Sequence, residues 1–190
     1  MANTRLSMYI AWLLRHRPEE LNLTMDVHGW VPVTELVEKI RAAGRYPITR
    51  EILEDIVRQD NKGRFRLSPE GDRIKACQGH TISWVEPELT IGQPPAVLYH
   101  GTTGEAYEKI LTSGHISRMK RHGVHLQPVE EKAWQSARRW HKEPVVLKID
   151  AARMHAEGAV FGRADNGVWC TEQVPVGYIL ELLREEERSI

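Results

Sequence analysis

Between Glu86 and Pro95 the chain carries three prolines and a glycine. Fixed φ angles and missing N–H donors at that density suit neither a helix interior nor a central strand. The stretch therefore divides the 190 residues into two parts with different patterns. Ahead of it stand three helical periodicities and a hairpin; behind it the elements are shorter and more mixed. The expected organisation is a first lobe over 1–88, a linker over 89–95 and a second lobe over 96–190.

In the first part, Leu6, Ile10 and Leu13, with Tyr9 and Leu14 alongside, give the spacing of an amphipathic helix. Asn3 or Thr4 is available to cap it, and Pro18 ends it. Arg15-His16-Arg17 then falls in the last turn, where cations suit the helix dipole. Gly29-Trp30-Val31-Pro32 reads as a turn. A second helix follows from Thr34 to Gly44 with Leu36, Val37 and Ile40 on one face. Thr49 caps a third, bearing Ile52, Leu53, Ile56 and Val57, which Asp60-Asn61-Lys62-Gly63 stops. Arg64 to Ser68 and Arg73 to Cys77 alternate strictly about the turn Ser68-Pro69-Glu70-Gly71-Asp72, a hairpin. Phe65, Leu67, Ile74 and Ala76 fall on its inner face, and Arg64, Arg66, Arg73 and Lys75 on the other. That outer face suits either solvent or a phosphate.

Three helices and a hairpin are the layout of a winged helix. The third helix, however, is as acidic as it is basic, whereas a major-groove recognition helix needs donors. Sequence-specific DNA reading is disfavoured on that ground.

In the second part, Val97 to Tyr99 reads as a buried strand, followed by a turn over Gly101 to Gly104 and a helix from Glu105 to Leu111. A strand, small-residue turn and helix start present N–H groups to a phosphate, and equally form an ordinary connection. The loop Ser113 to Gly123 is dense in His, Arg and Lys. A strand at Val124 to Leu126, a helix over Glu130 to Trp140, and strands at Val145 to Ile149, Val168 to Thr171 and Tyr178 to Leu182 follow. The fold class is α+β.

Lys plus Arg and Asp plus Glu each total 26, so any phosphate recognition rests on local clusters rather than on bulk charge. No apolar run nears the ~20 residues of a bilayer span, and the first residues lack the apolar core of a secretory signal. A cytoplasmic protein without membrane partners is expected. With Cys77 and Cys170 alone, neither a disulfide framework nor a cysteine-rich zinc site is available. His115, His122 and His125 stand as His-x6-His-x2-His, which matches no zinc spacing, so no metal is expected. Arg15, His16, Arg64 and the loop from Arg118 to His122 place basic groups on turns and element ends. Guanidinium forks converging there outline a phosphate pocket. No pair of carboxylates occupies comparable turns.

Seven stretches carry a resemblance over nearly the whole chain. They are Leu13-Leu14-Arg15-His16-Arg17-Pro18, Gly29-Trp30-Val31, Lys62-Gly63-Arg64-Phe65, Gln78-Gly79-His80-Thr81, Leu98-Tyr99-His100-Gly101-Thr102, Met119-Lys120-Arg121 with Val124-His125-Leu126, and Asn166-Gly167-Val168-Trp169. In this order the chain resembles the RNA 2′-phosphotransferase family, KptA-like NAD-dependent enzymes named for the terminal step of tRNA splicing.

The resemblance implies an N-terminal winged-helix lobe (three helices plus a β-hairpin) and a C-terminal mixed α+β ADP-ribosyltransferase-like lobe, with the active site in the cleft between them. It assigns Arg15, His16, Arg64 and Arg121 to catalysis, and His100, Gly101, Thr102, His125, Asn166 and Gly167 to binding NAD. NAD would be a co-substrate, the partner an RNA with an internal 2′-phosphate, and the protein a monomer without a metal. The implied reaction passes through RNA-2′-phospho-ADP-ribose to 2′-hydroxyl RNA, ADP-ribose 1″,2″-cyclic phosphate and nicotinamide. Arg118 rivals Arg121, which the Met-x-Arg pattern favours. Thr81 and Gln127 stand where serine is expected and Cys170 where leucine is commoner. Gly123 separates His122 from Val124, so His122 receives no role. Two other readings are an ADP-ribosyltransferase that leaves its label on the acceptor, and a non-enzymatic winged-helix binder.

Overall fold

Leu6, Ile10, Leu13 and Leu14 are each no more than 2% exposed, so α1 (Ala2–His16) forms because its apolar stripe closes over a core. Burying a side chain of that size stabilises by about 1.5–3 kcal/mol. The computed structural model of the protein describes residues 2–185. The chain divides between Glu88 and Leu89 into two units, each with its own core.

In the first unit, α1 begins upstream of Thr4, which therefore stands inside the first turn and does not precede it as a cap. Pro18 opens a single 3₁₀ turn, Pro18–Leu21, whose end places Asn22 in the left-handed region. The stretch expected as a turn at Gly29 to Pro32 is half strand: β1 (Val31–Pro32) pairs with Ile74 and Arg73. Val31 is fully buried and wants a sheet partner, and as an edge strand β1 tolerates the missing N–H of Pro32. α2 (Val33–Ala42) and α3 (Arg50–Arg58) follow, the latter capped by Thr49 Oγ1, which accepts from Ile52 N at 3.3 Å. β2 (Phe65–Leu67) and β3 (Arg73–Ala76) complete an antiparallel sheet ordered β1-β3-β2, with Phe65 opposite Ala76 and Leu67 opposite Ile74.

The outer face of the hairpin is not a bare cationic face. Lys75 is buried, bonded to Glu88 and seated 4.7 Å from the centre of the Trp30 ring. Arg73 donates to Asp26 at 3.0 Å and Arg64 to Asp60 at 2.9 Å. Asp26 and Glu88 come from segments separated in sequence and Asp60 from the loop just before Arg64, and alternation alone reveals none of them.

In the second unit, residues 90 and 91 of the expected linker form β4 (Thr90–Ile91), which pairs with Arg163 and Gly162. β5 (Val97–Thr103) runs through the four positions expected as strand end and turn, and α4 (Gly104–Ser113) starts only after it. Thr103 caps α4, its Oγ1 accepting from Ala106 N at 3.2 Å. β6 (His115–Ser117), β7 (Val124–Leu126), α5 (Glu130–Ala137), β8 (Pro144–Asp150), α6 (Ala151–Ala156), β9 (Gly162–Arg163), β10 (Trp169–Thr171), β11 (Gln173–Pro175) and β12 (Ile179–Arg184) complete it. The strands form sheets ordered β12-β8-β5, β4-β9-β10-β7 and β11-β6. Tyr99 and Gln127 exchange both backbone hydrogen bonds at 2.8 Å and so tie β5 to the end of β7.

Gly101 explains why β5 continues. A Cβ there would lie 2.0 Å from the carbonyl oxygen of Ala133, so only glycine lets α5 lie directly on the strand. Among the described residues no helix is long and apolar enough to cross a membrane.

Candidate active site

In the first unit the C-terminal turn of α1 is covered by the 78–81 loop, which in turn packs on Gly29. Thr81 N donates to the carbonyl of Arg15 at 2.9 Å, and Thr81 Oγ1 lies 2.9 Å from His16 Nδ1. Gly79, at φ +86°, lays its backbone along the Arg15 side chain: a Cβ there would be 3.7 Å from Arg15 Cδ and Nε. His80, buried, stands against Gly29, where a Cβ would be 3.0 Å from its Nε2. Three sequence stretches, 13–18, 29–31 and 78–81, thus form one structure. Thr81 supplies the orientation of His16, since one ring nitrogen committed to a hydroxyl fixes which way the other faces.

Arg64 is held from three directions. Its Nε donates to Asp60 Oδ1 at 2.9 Å, its Nη2 to Ser7 Oγ at 3.0 Å, and its guanidinium lies 5.5 Å from the centre of the Phe65 ring. The Asp60 side chain is 1% exposed and also accepts from the backbone N–H groups of Arg64 and Phe65. A buried carboxylate with that many donors is a fixed anchor. Ser7, Ala11 and Arg15 follow one another at four-residue steps, so they share one face of α1. Arg64, bonded to Ser7, and Arg15 therefore border the same helix face, with only the methyl group of Ala11 between them in the row. Asp60 and Ser7 were not among the expected site residues. The spacing Asp60-x3-Arg64 was the one available signal, and Asp60 reads equally well as a helix stop.

In the second unit the structure brings together His100, His125 and Arg121. His100 Nδ1 lies 3.0 Å from the carbonyl oxygen of His125. A carbonyl only accepts, so Nδ1 carries the proton and Nε2 of the neutral ring is an acceptor. Burial holds the His100 pKa below its ordinary value and the nearby Arg121 charge adds to this, while the bond to His125 opposes it. Arg121 Nη1 approaches His125 Nδ1 at 3.4 Å; arginine has no acceptor, so this histidine nitrogen is the bare one. Arg121 reaches inward from an exposed loop, where Met119 takes φ +56° and Arg121 N donates to the Arg118 carbonyl at 3.0 Å.

Cys170 stands opposite His125 across the β7–β10 ladder. Burial pushes its thiol up to about 11, against the opposing influence of Arg121. Gly123 packs on the same place, since a Cβ there would lie 3.3 Å from Cys170 Cβ and 3.1 Å from the Thr171 carbonyl.

The remaining expected residues separate. His100 and Thr102 share one face of β5, while Gly101 faces α5 on the other. Thr102 is buried. Asn166 and Gly167 form the turn between β9 and β10: Asn166 Oδ1 accepts from Val168 N at 3.3 Å, and Gly167, at φ +81°, donates to the Ala164 carbonyl at 2.9 Å. Their local geometry explains Asn-Gly as turn chemistry. Among the described residues no cluster of His, Cys, Asp and Glu has metal-binding geometry.

Residues 1–173 match the family described as RNA 2'-phosphotransferase, Tpt1 / KptA family. The chain is 41% identical over 176 residues to a Burkholderia pseudomallei protein, covering 93% of this chain and 94% of that one. It is 43% identical over 175 residues to a Streptomyces coelicolor protein, covering 92% and 93%. A Pseudomonas syringae protein is 41% identical over 177 residues, covering 93% of each chain. Each of the three bears the name "Probable RNA 2'-phosphotransferase".

Proposed function

The chain belongs to the RNA 2′-phosphotransferase family and is a transferase, and from that premise we propose the residues and the reaction course. The co-substrate is NAD. The first unit is a winged helix and the second an ADP-ribosyltransferase fold. An oxygen of the RNA 2′-phosphate attacks C1″ of the nicotinamide ribose; the glycosidic bond breaks and nicotinamide leaves. The ribose O2″ hydroxyl then gives up its proton and attacks the phosphorus, the bond to RNA O2′ breaks, and that oxygen takes a proton. The products are 2′-hydroxyl RNA and ADP-ribose 1″,2″-cyclic phosphate.

Arg15, Arg64 and Arg121 are the catalytic guanidinium groups. Phosphoryl transfer needs charge stabilised by donors that do not move during the reaction, and Arg64, clamped by Asp60 and Ser7, is such a donor. His16 donates the proton to O2′ or binds the phosphate; when Thr81 donates to its Nδ1, the proton sits on Nε2. In the second unit His100 offers an Nε2 acceptor suited to a ribose hydroxyl, and His125 and Thr102 line the NAD site with it, while Asn166 and Gly167 contribute from the β9–β10 turn and Gly101 through its backbone alone, its α-carbon being turned to α5. The observation that carries this reading is the shared α1 face of Arg15 and Arg64.

The test is incubation with NAD and an oligonucleotide bearing one internal 2′-phosphate. Arg64→Ala and Arg121→Ala are expected to accumulate the phospho-ADP-ribosylated RNA. Unchanged yields of both final products in these variants would overturn the assignments. NAD label retained on the acceptor by the wild-type protein would favour an ADP-ribosyltransferase instead.

A further inference from the structure

Upstream of the catalytic turn, the exposed side of α1 carries an open groove of about 300 Å³. Arg5, Met8, Tyr9 and Trp12 line it from the helix, and Arg45 and Tyr46 from the α2–α3 loop. Tyr9 and Trp12 stack with ring centres 5.9 Å apart and planes 20° from parallel, and Tyr46 tilts against Tyr9 at 5.2 Å. Arg45 lies over the Tyr9 ring at 5.4 Å. Met8 is 62% and Trp12 37% exposed, and together with the rings of Tyr9 and Tyr46 they make a contiguous apolar surface rather than single exposed side chains.

The charges differ from most of their neighbours. Arg17, Arg50, Arg58, Arg64 and Arg73 of this unit each pair with a carboxylate. Neither Arg5 nor Arg45 has a carboxylate partner among the described residues. An aromatic platform between two such arginines is the arrangement that holds a base by stacking while its phosphates are neutralised. Its position suits the same purpose. Trp12 and His16 are four residues apart on one face of α1, about 6 Å along the axis, so the groove lies within a nucleotide or two of the catalytic turn.

We propose that the Arg5, Tyr9, Trp12, Arg45 and Tyr46 groove binds an unpaired nucleotide of the RNA flanking the 2′-phosphate, by base stacking on Trp12 and contact of the arginines with its phosphates. The identity of the ligand rests on the RNA-processing reading above; the groove itself does not.

Two readouts separate the two claims. Binding of a labelled single-stranded oligonucleotide bearing one 2′-phosphate, measured by anisotropy without NAD, is independent of turnover. Trp12→Ala is expected to weaken it about tenfold, the scale of one base stack. Arg45→Gln is expected to weaken it and to lower the slope of log affinity against log salt by about 0.7, one phosphate on a single strand. In turnover, Trp12→Ala is expected to raise KM for the long oligonucleotide with kcat unchanged. With a nucleoside 2′-phosphate, which has no flanking nucleotide to reach the groove, kcat/KM is expected to stay within about twofold of wild type. Both variants lie on the surface, and equal melting temperatures check their folding. Unchanged binding in both would overturn the proposal, as would equal losses on the long and short substrates. A concentration-dependent dimer that Trp12→Ala abolishes, with RNA affinity unchanged, would overturn it in favour of a second copy of the chain. Failure of the wild-type protein to consume NAD, with groove-dependent binding intact, would count against the reaction alone.

Discussion

Arg64 and Asp60 form a clamp in which the exposed partner is held by the buried one: the carboxylate is 1% exposed, the guanidinium side chain 27%, and Nε to Oδ1 is 2.9 Å. The carboxylate also closes the loop on the backbone N–H groups of Arg64 and Phe65. One buried group thus fixes both the main chain and the side chain at a proposed catalytic position.

Asp60→Ala is accordingly expected to do two things. It leaves buried donors without their acceptor, which costs about 2–4 kcal/mol in a melting experiment. It also frees the Arg64 guanidinium, so the phospho-ADP-ribosylated RNA should accumulate as it does in Arg64→Ala. Wild-type product ratios in a variant that has lost stability would show that the clamp serves folding alone.

At His16 the partner is Thr81. Thr81→Val removes the hydroxyl at nearly constant volume and is expected to lower kcat by about tenfold, the scale of one oriented proton-transfer group lost in part. Thr81→Ser keeps the hydroxyl and should retain most of the activity. Equal rates for the valine and serine variants would dismiss the orienting role.

Gly101→Ala is expected to destabilise strongly, by about 3 kcal/mol or more. The obstructing atom is the backbone oxygen of Ala133, so Ala133→Gly should give no rescue in a thermal melt. Full rescue would mean that a side-chain contact was responsible.

Cys170 makes stability fall at high pH. Its thiol ionises near 9 when unfolded and at about 11 when folded, so the folded chain holds the proton more tightly. That contribution is complete below pH 9 and is lost at roughly 1.4 kcal/mol per pH unit between pH 9 and 11. In Cys170→Ala the drop in denaturation midpoint over this window should be smaller than in the wild type. Parallel curves would remove the thiol from the account.

His100 acts in the opposite direction. Burial lowers its pKa below 6.5, so the unfolded chain takes up the proton first and stability declines as pH falls below 6.5. The neutral ring should also persist to mildly acid pH, which histidine ring proton shifts followed by NMR would report. A His100 midpoint at or above 6.5 would contradict the burial argument.

Much of this protein was legible without coordinates. The periodicity of Leu6, Ile10 and Leu13, the cap at Thr49 and the alternation of Phe65 to Leu67 against Arg73 to Ala76 are local signals, each set by residues within a few positions. The seven ordered motifs likewise sufficed to recognise the family.

What the sequence determined was therefore the local elements and the chemical character of the site groups, because spacing and residue type are properties of neighbouring positions. What tertiary structure alone decided was which partner each group received. Lys75 looked like one of four cations on an outer face open to solvent or a phosphate and is buried against Trp30 and Glu88. Gly101 looked like a turn and is strand, because α5 presses on it. Asp60 looked like a helix stop and is the anchor of Arg64. For Lys75 and Gly101 the deciding atoms lie far along the chain, and a contact between distant segments leaves no period in either of them; Asp60 stands only four residues before Arg64, and there the deciding fact is its burial, which spacing does not show.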